Sequence, residues 1–159
     1  MKLLSTILLL ILSGHSYGQQ KEVKIKLAKN VTLTLYRDIF DPKGKEIELS
    51  ENKFVISINK KPIFGTDGEM PKTTLKKAVL TIGTMNYDLQ VDGMYNPWIG
   101  DNIYEEKFKL EMEGYKYKII GGFSDGAGGY GAEWVVIGQS CIRTILTDDE
   151  KILFDYMGQ

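Results

Sequence analysis

Eight side chains in two glycine-bearing stretches carry the residue types that do chemistry. They are Asp92, Tyr95, Trp98 and Asp101 in one, and Phe123, Asp125, Tyr130 and Glu133 in the other. Two carboxylates flanking a glycosidic bond can protonate the leaving oxygen and supply a base or nucleophile without histidine, and Asp125 with Glu133 is the pair to do so. Carboxylates among flexible backbone carbonyls also suit calcium, with Asp125 joined by Asp101 or Glu133, although no D-x-D-x-D-G loop is present. Aromatics beside acids suit a third task, contact: Tyr95, Trp98, Phe123 and Tyr130 are the types that anchor a protein partner or stack on a sugar.

The second stretch runs through Gly121 to Gly131, with Glu133 just beyond, and six of the chain's 17 glycines fall within those eleven residues. Glycine loses more backbone entropy on folding than any other residue, so such a cluster implies a special backbone path. Gly126 to Gly131 satisfies G-x-G-x-x-G, but Ala132 to Ile137 reads as a strand where a dinucleotide site needs a helix. Gly126 and Gly131 have the spacing of a phosphate loop, yet Ala132-Glu133 follows them instead of Lys-Ser/Thr. Gly138-Gln139-Ser140-Cys141-Ile142 narrowly misses a nucleophile elbow.

Histidine is all but absent. The single histidine, His15, falls in an N-terminal stretch with the layout of an export signal: Met1-Lys2, an apolar run from Leu3 to Leu12, and small residues at Ser16 and Gly18. Cleavage after Gly18 leaves a chain without imidazole, which removes Ser-His-Asp and Cys-His catalysis and histidine zinc sites. The apolar run is about half the roughly 20 residues that span a bilayer, so no membrane insertion is expected. Cys141 is the only cysteine, so no internal disulfide forms; its neighbours Ile142 and Ile145 mark it as a strand thiol.

What must position the eight side chains is β-structure. Val23, Ile25 and Leu27, then Val31, Leu33 and Leu35, then Phe54, Ile56 and Ile58 alternate with polar residues; so do Met85 to Val91, Phe108 to Met112 and Tyr115 to Ile119. Trp134 to Ile137, Ile142 to Leu146 and Ile152 to Tyr156 complete the set, Trp134 being assigned to the core. Only Thr73 to Val79 suggests a helical turn. The expectation is one all-β domain over residues 19–159, an antiparallel sandwich or barrel of nine or ten short strands whose C-terminal part is a meander. In a meander alternate connections share an end, which gathers Asp92 to Tyr104, Gly121 to Gly131 and Thr147 to Glu150.

Charge follows the same division. Lys21 to Lys61 holds ten basic and six acidic residues, whereas Asp92 to Glu106 holds four acidic and no basic ones. An acidic loop end attracts cations and repels nucleic-acid phosphates. The expected protein is therefore an exported, periplasmic or extracellular, non-catalytic binder of inhibitor or immunity type. It uses the acidic, aromatic, glycine-rich loop on a protein partner with cationic surface, with no metal or cofactor required. The alternative is a small carbohydrate-active enzyme or carbohydrate-binding module with paired carboxylates. The mature N-terminus is expected at Gln19, which intact-mass measurement of the protein secreted by an exporting host checks; a mass retaining residues 1–18 overturns it.

Overall fold

Strands dominate the computed structural model, which describes residues 21–97, 107–123 and 128–157. In chain order they are β1 (Lys21–Ala28), β2 (Val31–Ile39), β3 (Ile47–Leu49), β4 (Val55–Ile58), β5 (Lys61–Pro62), β6 (Thr73–Ile82), β7 (Met85–Leu89), β8 (Phe108–Glu113), β9 (Lys116–Phe123), β10 (Tyr130–Ile137) and β11 (Ser140–Thr147), followed by helix α1 (Glu150–Met157). They form three antiparallel sheets, ordered β1-β2-β6-β7, β11-β10-β9-β8 and β3-β4-β5. The second of these is the expected C-terminal meander. The two four-stranded sheets do not join into a closed barrel, so the fold is a sandwich.

Alternation builds its core. Ile25, Leu33, Leu35, Ala78 and Leu80 from one sheet meet Ile119, Ala132, Trp134 and Val136 from the other in one buried cluster. Burying such side chains contributes about 1.5–3 kcal/mol each, which is what holds an unstapled domain of this size together. Three lysines, Lys21, Lys24 and Lys26, lie along the edge strand β1, where charge discourages further strand pairing.

The seam between β7 and the second sheet is closed by side chains instead of a ladder. The Trp134 indole Nε1 donates to the Gln90 carbonyl at 2.9 Å, and the Arg143 backbone amide donates to Gln90 Oε1 at 3.0 Å. Arg143 Nη1 reaches the Asp92 carbonyl at 2.7 Å, while the Tyr87 hydroxyl donates to the Gly138 carbonyl at 2.9 Å. Trp134 is fully buried, as its sequence setting implies.

Several elements differ from the sequence expectation. Ile152 to Tyr156 is helix, not strand, because Asp149 caps it: its Oδ1 accepts from the amides of Lys151 and Ile152 at 2.9 and 3.3 Å. α1 lies on β9 and β10, and the buried Leu153 and Ile120 both stand outside the sandwich core. Thr73 to Val79 belongs to β6, drawn along its length into a ladder with β2, with β7 joining on the other side from Ala78 onward. Phe54 and Ile56 do not face the core; a register shift at Glu48/Leu49 puts Val55 and Ile58 inward instead. The third sheet adds β3 and β5, bringing the described strands to eleven. Among the described residues no helix is long and apolar enough to cross a membrane.

Trp134→Phe keeps most of the buried ring but removes the bond to Gln90. Urea unfolding is expected to show a loss of about 1 kcal/mol or slightly more, and an unchanged midpoint would mean the seam holds without it.

Candidate functional site

Asn96 organises one end of the sandwich. Held at a φ of 40°, it accepts with Oδ1 from the amides of Lys72 and Thr73 at 2.8 and 3.0 Å, and its Nδ2 donates to the Gly65 carbonyl at 2.8 Å. The turn before β6 and the stretch after β5 are thereby tied to residues 91–97. The Phe64 amide donates to the Gly93 carbonyl at 2.9 Å, and the Tyr95 amide donates to the Phe64 carbonyl at 3.0 Å. Gly65 cannot be any other residue: its φ is +95°, and a Cβ there would sit 2.1 Å from the Tyr95 carbonyl oxygen.

Two tight turns complete the frame. Asn59 and Lys60 both have positive φ between the paired Ile58 and Lys61, and Asp67 and Gly68 both have positive φ between Thr66 and Glu69, whose amide donates back to the Thr66 carbonyl at 2.8 Å. Successive left-handed residues mark type I′ turns, for which Asp-Gly is a favoured pair.

Between this frame and the β9–β10 connection lies an open cleft of about 280 Å³. Ile56, Ile63 and Phe64 supply its apolar wall, Gly128 and Gly129 close the facing side, and Asp67 and Asp148 bring carboxylates to it. The β9–β10 connection and the β11–α1 turn thus meet at one end, as the meander implies. A second cavity of about 370 Å³ lies beyond Tyr95, with Lys45, Lys61 and Lys76 in its wall.

The eight sequence candidates separate. Trp98, Asp101 and Asp125 lie outside the described residues. Asp92 is exposed and pairs with Lys61 at 3.4 Å; Tyr95 is half-buried, edge-on to Phe40 at 5.4 Å. Burial, with Asp92 second, pushes the Tyr95 hydroxyl above its ordinary range.

Phe123 and Tyr130 are not contact residues on a loop. They are register partners on β9 and β10, 3% and 1% exposed, stacked with ring centroids 5.2 Å apart. The glycine-rich connection is accordingly shorter than the sequence suggests, since Gly121 and Gly122 lie in β9 and Gly131 in β10. Gly121 leaves room for the Phe108 ring, which would stand 2.8 Å from a Cβ there, and Gly122 pairs across strands with Gly131.

Glu133 is also displaced from the expected site. It points to the outer face of the second sheet, where Thr144 Oγ1 donates to its Oε1 at 2.6 Å and Lys118 stands 4.0 Å away. Lys118 is itself held by Glu111, whose hydrogen bond is the first cause of its raised pKa. Among the described residues, no three Asp, Glu, His or Cys side chains gather to hold a metal.

Asp148 belongs to the acidic Thr147–Glu150 connection that the sequence already placed at this end, whereas Asp67, Ile56 and the strap from Ile63 to Gly68 were not expected as parts of a site. The Asp67-Gly68 dipeptide was the legible signal. The fold and site define a β-sandwich protein with a turn-framed end cleft. Comparison with protein-family models, curated proteins and solved structures gives no match.

The Tyr130 hydroxyl is fully buried without a hydrogen-bond partner among the described residues. Burial raises its pKa well above 10.0, with Arg143 pulling weakly the other way. The folded state therefore holds this proton more tightly than the unfolded chain. Its contribution is fully present below about pH 10 and is lost as pH climbs above that value. Tyr130→Phe is expected to leave stability at neutral pH unchanged or raised by up to about 1 kcal/mol, and to flatten the alkaline decline relative to wild type in urea unfolding. A loss above about 1 kcal/mol at neutral pH would mean that the hydroxyl is satisfied.

Proposed function

We propose that this protein is an exported, non-catalytic binding protein of the inhibitor or immunity type, and that its end cleft is the surface that engages a protein partner. The observation that carries the reading is the preformed cleft itself. Its walls are turns whose left-handed residues and glycines are pinned by hydrogen bonds before any partner arrives. Preorganised loops bind with less ordering cost, which suits contact.

Apolar exposure at the cleft supports the same reading. Ile56 is 48% exposed in its wall, and Phe54, packed on Gly68, is 53% exposed nearby. Apolar side chains at the mouth of a cleft gain from burial under a partner. The export half of the proposal rests on residues 1–18, and the non-catalytic half draws on the lack of histidine after them.

The site differs from the one expected on sequence. Phe123 and Tyr130 brace the cleft from the core, and the contact surface passes to Ile56, the strap and Gly128-Gly129. Immobilised mature protein is expected to capture a partner from the extracytoplasmic fraction of its source. Ile56→Asn should weaken that capture about tenfold while leaving the melting temperature nearly unchanged, and Tyr115→Ala at the distant β8–β9 turn should not. Capture that survives Ile56→Asn but fails with Tyr115→Ala would move the surface to the other end.

A further inference from the structure

The two cavities at this end are treated oppositely by the charges around them. Every lysine in the wall of the larger one is already engaged: Lys61 by Asp92 at 3.4 Å, Lys76 by Asp38 at 2.8 Å, and Lys45 over the Phe40 ring at 5.7 Å. Two of these lysines are thus ion-paired and the third lies over an aromatic ring. In the smaller cleft, Asp67 and Asp148 have no ion pair or hydrogen bond with any described residue. Two exposed carboxylates without an ion-pair partner among the described residues therefore border a cleft that Ile56, Ile63 and Phe64 also line.

We propose that this cleft receives a lysine or arginine side chain of the protein partner. Such side chains carry a methylene stem and a cationic head, and they lay the stem along apolar surface while the head seeks polar partners. Ile56, Ile63 and Phe64 offer that surface, and Asp67 and Asp148 offer the acceptors. About 280 Å³ is ample room for one such side chain. The backbone turn that carries Asp67 is held by the Thr66–Glu69 hydrogen bond and by Val55, whose amide donates to the Gly68 carbonyl at 2.8 Å, so the position from which the exposed carboxylate reaches is set beforehand. A neutral or acidic side chain would leave both carboxylates unanswered, so the pairing selects for charge as well as size.

The inference rests on the binding reading above, and the two are tested apart on the same captured partner. Asp67→Asn and Asp148→Asn change charge and little else, because asparagine tolerates the left-handed backbone at position 67. Each is expected to weaken capture about two- to fivefold and the pair about tenfold, with the effect shrinking at high salt. If Ile56→Asn weakens capture and the two asparagine variants do not, the cleft binds but takes no cation, and this inference falls alone. If none of the three matters, the binding reading falls with it.

A direct probe needs no partner. Nα-acetyl-L-arginine N-methylamide titrated into the labelled mature protein should shift the amide resonances of Gly65, Gly68, Gly128 and Gly129. Its uncharged citrulline counterpart should not, and the double asparagine variant should lose the response. Equal shifts from both compounds, or none from either, overturn the proposal.

Discussion

One carbonyl carries more of this fold than its size suggests. The Gln90 oxygen, just past β7, receives the Trp134 indole proton and a longer contact of 3.4 Å from the Arg143 guanidinium. The Gln90 side chain meanwhile takes the Arg143 amide on β11. Since the two four-stranded sheets share no ladder, these bonds and the Tyr87–Gly138 bond are what fix β7 beside β11. A large indole cannot be buried without its N–H satisfied, so packing of the core and closure of the seam are one requirement. Arg143, half-buried there, has its pKa lowered chiefly by burial, with Asp92 opposing.

From that seam the chain enters the turns that build the cleft. Asp92, Gly93 and Asn96 follow Gln90 directly, and Asn96 binds the strap and the start of β6 in a single side chain. The Phe123, Tyr130 and Trp134 rings lie behind them, Phe123 meeting Trp134 edge-on at 6.2 Å. Tyr130 also fills the space against Gly65. The described part of the glycine-rich segment thus serves packing at both ends and contributes Gly128 and Gly129 to the cleft surface.

Local signals were legible where one residue decides its own backbone. Asp-Pro-Lys-Gly at 41–44 is a turn, with Gly44 at a φ of 74° and the Lys45 amide bonded to the Pro42 carbonyl. Glu113-Gly114 joins β8 to β9, and the alternation of β8 through β11 gave the meander. Asn59-Lys60 and Asp67-Gly68 are equally local, but neither stands between long alternating runs that would mark it as a hairpin. Faces were harder. Phe54, Ile56 and Ile58 alternate as a half-buried strand should, yet a single register shift sends the first two outward. Asp149-Glu150 could read as a turn, and became a helix start once its carboxylate found the Lys151 and Ile152 amides.

The sequence by itself determined the all-β class, the meander and which connections share an end, because alternation and turn chemistry act between neighbours. Tertiary structure alone decided which carboxylates are spent and which are free. Asp38 with Lys76, and Asp92 with Lys61, are pairs that meet only when distant strands are brought together. Asp67 and Asp148 are left over by the same folding, at one cleft, from stretches that nothing in the chain links. Charge compensation depends on distance in space, and order along the chain does not encode that distance.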